Sequence, residues 1–275
     1  MLDVRQRNWF WGPLGVMRFE ALRSMTTLRV LVWFSLTFFP VILLYVAISR
    51  IAGQIDEDIP PGDLAFGAAS LLFILLPQVV TVLSLLLWAT PVVHSELEGQ
   101  TWVYAVVRPG GRRSVLLGKY LVAVLWTISA TCVAATCLIP AIYQLAEAYT
   151  IRIWVITCVL NVLAAFAYGS AFVLIGTLMQ RRAMVVGFLF ALIVEALLSM
   201  VPAIISQFTI SFRLRSLMMQ CLAIPLTETE SIKTFFNVDH PPVIHCLGLM
   251  AYIATTLGLA LWRVQSSQFA WQSEL

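Results

Sequence analysis

Charge is what this sequence has least of. Only 11% of its 275 residues are Asp, Glu, Lys or Arg, while 60% are hydrophobic. A water-soluble domain carries about 25% charged residues, so a solvated globular fold is excluded. Alternation of apolar and polar residues is scarce too, confined to a few residues of TISFRLRSL at 209–217. The apolar runs are continuous, which argues against a membrane β-barrel. No cleavable signal peptide is visible, because the first apolar run starts near Leu28 behind a basic segment and is too long for a signal core. No GxxxxGK(S/T) phosphate loop occurs: Gly118-Lys119 is followed by Tyr120, and Arg113 stands where the first glycine of the loop belongs. Ser/His/Asp sets, paired carboxylates at catalytic spacing, CxxC pairs and Cys/His zinc spacings are also missing. The chain is therefore expected to be no enzyme, and to hold no metal, no cofactor of its own and no nucleic acid.

The few cysteines and histidines fit that expectation. Cys132, Cys137 and Cys158 lie in apolar runs, as small packing residues do. Cys221 lies in the last loop and Cys246 beside it, and their spacing leaves open whether they pair. His240 and His245, with Cys246, Met218 and Met219, are scattered soft ligands without a metal-binding spacing.

What is present is a series of long apolar runs, each near the ~20 residues needed to cross ~30 Å of hydrocarbon. In lipid the backbone must satisfy its own hydrogen bonds, so the runs are read as helices and the fold as all-α and polytopic. Six spans are expected, at about 28–51, 64–93, 115–146, 153–179, 184–206 and 243–262. Pro40, Pro77 and Pro140 are expected to kink their spans, and Pro91 to end or break the second. Ahead of them, residues 1–27 carry Leu14, Met17, Ala21, Met25 and Leu28 at helical steps, with Arg18, Arg23 and Arg29 off that stripe. This is the pattern of a basic amphipathic helix at a membrane surface, the alternative being an extension of the first span. The long loop 207–242 is only partly polar and suits an interfacial or re-entrant piece. A polar tail, 263–275, ends the chain.

Basic residues set the expected orientation, since they collect on the cytoplasmic side of short loops. Arg5, Arg7, Arg18, Arg23, Arg29, Arg108, Arg112, Arg113, Lys119, Arg181, Arg182 and Arg263 fall on one side; Arg50, Arg152, Arg213, Arg215 and Lys233 fall on the other. Both termini are then cytoplasmic in a multi-pass protein of the plasma or inner membrane. Trp9, Trp11, Trp102, Trp154, Trp262 and Trp271 lie near the expected interfaces, as an aromatic belt requires.

Between spans 2 and 3 lies the densest mix of charges, HSELEGQTWVYAVVRPGGRRSVLLGKYL, residues 94–121. Glu96 and Glu98 open it; Gly99 and Thr101 follow; Trp102, Val103, Val106 and Val107 form an apolar run; Arg108-Pro109 and Arg112-Arg113 precede Leu116-Leu117-Gly118-Lys119. This order resembles the permease subunits of ABC-2 type transporters, which have six spans and an acidic-Gly-Thr, apolar, Pro, basic, Leu-Leu-Gly-Lys pattern at this point. One departure is Gln100, which stands where that family usually has Gly directly before Thr101. The resemblance implies a cytoplasmic coupling hairpin, residues 94–120, that docks on an ATPase subunit through Glu96, Glu98, Thr101, Trp102, Arg108, Pro109, Arg112 and Arg113. It also implies ATP bound by that partner alone, and a second permease, either another copy of this chain or a homologous one, beside it in the lipid. A buried aromatic between charges suits such a grip, because aromatic anchors dominate interface energetics. The remaining alternative for this stretch is a solvated interfacial loop.

Inside the spans, Glu195 stands mid-way along the fifth, where an ionised side chain costs about 2.5–3.5 kcal/mol. Pathway residue and partner of a neighbouring helix are both open for it. Asn161, Ala165, Gly169 and Gly176 fall near one face of the fourth span, as a tight helix–helix seam requires, with a pathway or gating role the alternative for Asn161. Gln78, Thr81 and Ser84 share a face of the second and either line a path or form a seam. The expected function is an ATP-driven exporter's permease. The alternative is an ATP-independent multispan protein: a secondary carrier, a channel or an assembly scaffold.

Overall fold

The computed structural model describes residues 15–22, 26–53, 60–92, 94, 111–179, 182–197, 199, 207–223 and 241–266. All regular structure among them is helical. Helix α1 covers residues 15–22, and α2 runs Thr27–Ala52 with Pro40 buried inside it. Helix α3 spans Pro61–Val92. Its start follows from Pro61 at the first turn, where a missing N–H costs nothing, and from Asp63 against the helix dipole.

Pro77 falls in the interior of α3, where it removes an N–H and crowds the preceding turn. The ladder widens there into a π turn, Ile74–Val80, and the Thr81 hydroxyl covers the Leu76 carbonyl at 3.0 Å. Pro91 sits in the 3-10 turn Thr90–Val92 that closes the helix. Helix α4, Gly111–Cys137, stops at a turn on Leu138, and α5, Ile139–Leu145, starts afresh with Pro140 in its first turn. The third span is thus broken at Pro140 rather than merely bent.

Helix α6, Thr150–Leu178, is the hub. Its most apolar window is 61% buried, against 22% for those of α2 and α9, and it packs on α3, α4, α7, α8 and α9. Tyr168 and Phe172 at its centre are fully buried. Helix α7, Ala183–Leu197, is apolar but too short over its described length to cross a bilayer. Its last turns, Ala191–Leu197, are π-helical. Helix α8, Ile210–Leu222, follows, and α9, Pro242–Ser266, closes the described chain.

Five of these helical segments are long and apolar enough to cross a membrane, so the chain is a polytopic helical membrane protein. The stretch around 207–223 is the exception to the local pattern. TISFRLRSL alternates like a strand, yet it folds as α8, because helix alone satisfies the backbone of so buried a segment.

The expected seam along α6 is present. Ala165 is fully buried, a methyl on Gly169 would meet Tyr120 and Val124 of α4 at 3.1 Å, and one on Gly176 would overlap the Thr90 carbonyl. Thr81 and Ser84 are buried as well, and Ser84 bonds Thr127 of α4 at 2.8 Å, so that face of α3 is also a seam.

Candidate functional site

The first turn of α8 creates the problem that the site solves. The leading N–H groups of a helix have no intrahelical acceptor, and burying them bare is costly. Here Ile210, Ser211 and Phe212 are all buried. Thr209 takes the cap position with extended backbone, and its hydroxyl accepts from the Phe212 N–H at 3.3 Å. The other two donors turn to Glu195, at the end of α7. Its Oε1 accepts from the Ile210 N–H at 3.2 Å and its Oε2 from the Ser211 N–H at 2.8 Å.

Glu195 is only 4% exposed, and a third donor completes its shell: Tyr168 Oη, 3.2 Å from Oε2. Tyr168 Oη also lies 2.8 Å from Ser211 Oγ. With Tyr168 donating to the carboxyl, the Ser211 hydroxyl donates to Tyr168, and the chain Ser211–Tyr168–Glu195 is consistent throughout. Lower on the same hairpin, Arg215 reaches Ser199 Oγ at 3.5 Å. On the neighbouring side of α6, Ser170 accepts from Thr256 of α9 at 2.8 Å. A carboxyl from one helix thus caps the helix that follows it, inside the bundle, against a hydroxyl from the central helix. The positive end of the α8 dipole thus meets an acidic side chain.

The expected site residues fall into separate places. Glu195 is the centre of this cluster. Asn161 lies two turns before Tyr168 on α6 and is fully buried, its amide donating to the Thr131 carbonyl of α4 at 3.4 Å while Oδ1 has no acceptor role filled. Gln78 lies on the π turn of α3 with its amide nitrogen buried and unbonded. Neither joins Glu195. Of the residues expected to couple to an ATPase, Glu96, Glu98, Thr101, Trp102, Arg108 and Pro109 lie outside the described residues, as does His240.

Arg112 and Arg113 are described, in the first turn of α4. Arg112 Nη1 donates to the carbonyls of Val264 and Gln265 at 3.4 and 3.3 Å, and Arg113 Nη2 to Gln265 Oε1 at 2.5 Å. Both guanidiniums thus engage the C-terminal turn of α9, where cations are favoured by the dipole. One turn further on, a methyl on Gly118 would press on Val16 at 2.7 Å, so the glycine of the Leu-Leu-Gly-Lys stretch is where α1 crosses α4.

Among the described residues the other soft ligands do not assemble into a metal site. No group of three His, Cys, Asp or Glu residues that could hold a metal occurs among the described residues, and Cys221 and Cys246 are free thiols. His245 is buried with its ring 6.5 Å from that of Phe212.

Sequence reasoning missed Tyr168, Thr209 and Ser211. A signal existed for Thr209: a threonine directly before an apolar helical run is a start signal. For Tyr168 the only hint was the polar trio Tyr168-Gly169-Ser170 within an apolar span. Set against known proteins, the chain matches no protein-family model and no curated protein.

Proposed function

We propose that the chain is the permease subunit of an ABC-2 type transporter, working as an exporter together with separate ATPase subunits and a second permease. The observation that carries this reading is the sequence pattern from Glu96 to Lys119, whose last residues, in α4, are tied to two other parts of the bundle. Arg112 and Arg113 hold the end of α9, and Gly118 seats α1. Force applied to residues 94–113 by a nucleotide-driven partner would reach α1, α4 and α9 together.

In this reading both termini and the hairpin are cytoplasmic. Glu96, Glu98 and Trp102 grip the ATPase, while Arg112 and Arg113 relay its motion within the permease. The α7–α8 hairpin, closed by Glu195, is the element that yields on the opposite side. Purification in mild detergent from the native membrane tests the reading. An ATPase subunit should co-purify, and should be lost when Glu98 and Trp102 are both replaced by alanine. A chain that purifies alone, with transport indifferent to ATP, overturns it.

A secondary carrier is the second reading, and one observation favours it. Carriers with broken helices aim the N-terminus of a short helix inside the bundle at an anionic substrate group, and the N-terminus of α8 is likewise buried and meets a carboxyl, here that of Glu195. Transport driven by an ion gradient in vesicles free of nucleotide would decide for it.

A further inference from the structure

Where α1, α2, α3 and α4 meet, the bundle holds a cavity of about 220 Å³. Three charged residues line it: Glu20 from α1, Arg29 from the first turn of α2 and Lys119 from α4. Its remaining walls are apolar or aromatic. Trp88 of α3 forms one side, with the Arg29 guanidinium 5.3 Å from its ring centroid, and Ala123 lies at the back, a turn deeper along α4. Trp88 stacks in turn on Trp126, whose ring meets that of Trp33, so the wall is rigid.

Three features narrow the ligand. The balance of charge is one positive, with Arg29 in the first turn of α2 and Lys119 two turns into α4. The volume is below the ~300–1,000 Å³ of a site that encloses a whole small molecule, so the cavity takes part of a larger one. Leu28 and Leu87, at its mouth, are 73% and 41% exposed and continue outward as an apolar face.

We propose that this cavity holds the phosphate headgroup of one anionic phospholipid, its acyl chains lying outside along Leu28 and Leu87. The lipid is a resident one rather than cargo. It bridges α1, which packs at Gly118 through Val16, to the first three long helices. The inference requires only that the chain sits in a bilayer, and does not depend on the identity of its motor.

Delipidated full-length protein, titrated with phosphatidylglycerol or phosphatidylcholine and read by native mass spectrometry, tests it. The expected result is one phosphatidylglycerol retained ahead of all others, with phosphatidylcholine at least five-fold weaker. Arg29→Gln should weaken that first adduct about five-fold, the effect of removing one cation near an anionic lipid. Arg29→Lys should largely keep it. Ala123→Leu, which fills the back of the cavity and leaves every charge in place, should also weaken it. A matching rise in melting temperature with phosphatidylglycerol should be seen for the wild type and be lost in Ala123→Leu. Equal retention of the two lipids, or an Arg29→Gln variant that binds as the wild type does, overturns the proposal. Displacement of the adduct by millimolar inorganic phosphate would show a small-anion site and would also overturn it.

Discussion

At the scale of single residues, the contacts separate costly changes from cheap ones. Glu195→Ala removes the acceptor of two buried N–H groups and of the Tyr168 hydroxyl at once. A buried donor left bare costs about 1–3 kcal/mol, so a loss of at least ~3 kcal/mol is expected in reversible unfolding from detergent micelles. Glu195→Gln keeps the size but offers one acceptor atom instead of two, and should cost about half as much. Tyr168→Phe, which spares both N–H bonds, should cost only ~1 kcal/mol. If all three variants were equally stable, the capping role would be wrong. Two glycines make a second contrast. A methyl on Gly176 would overlap the Thr90 backbone carbonyl, which cannot step aside without moving the end of α3, and overpacking of this kind costs about 1–3 kcal/mol. A methyl on Gly248 would overlap only the guanidinium of Arg213, the free end of a long side chain. Gly176→Ala should therefore lower the melting temperature measurably and Gly248→Ala hardly at all. The Glu195 partners were only half legible in the sequence. A carboxylate in an apolar run announces that it needs company, but which residues supply it depends on how α6, α7 and α8 fold against each other, and no local pattern carries that.

At the scale of elements, the connection between α4 and α9 bears on coupling under the proposed function. Arg112 donates to two carbonyls of the last turn of α9, which would otherwise rely on water. Arg112→Ala should fray that turn, at a cost of about 0.5–1 kcal/mol, visible as faster amide exchange over residues 262–266. Under the proposed function it should also reduce ATP-driven transport while an ATPase subunit still co-purifies. Glu98→Ala with Trp102→Ala should remove the subunit itself. An Arg112→Ala variant that lost the subunit as well would place Arg112 in the docking surface instead. Element boundaries were well read from the sequence, because hydrophobic length and proline fix them: α2, α3, α6 and α9 begin and end within a few residues of expectation. The break at Pro140 and the helix hidden in TISFRLRSL were less legible. The first turns on whether the chain restarts after the proline, and the second on burial overriding an alternating pattern.

At the scale of the whole molecule, the predicted orientation is open to direct test. Single cysteines at Gln54 and Glu230, in a background with the five native cysteines replaced by serine, should both react with an impermeant maleimide from outside intact cells, and one at Ser273 only after lysis. Labelling in the reverse order would invert the molecule and end the ATPase-docking reading. The molecule as a whole also has an order of assembly written into it. Tyr168 belongs to α6 and Glu195 to α7, yet the groups that complete their hydrogen bonding, the Ser211 hydroxyl for the first and the amides of 210 and 211 for the second, come later in the chain. Synthesis runs from the N-terminus, so both polar groups enter lipid before residue 211 has left the ribosome. A half-made chain therefore has to be sheltered by the insertion machinery until α8 arrives, and premature stops just before Thr209 should yield products that quality-control proteases clear first.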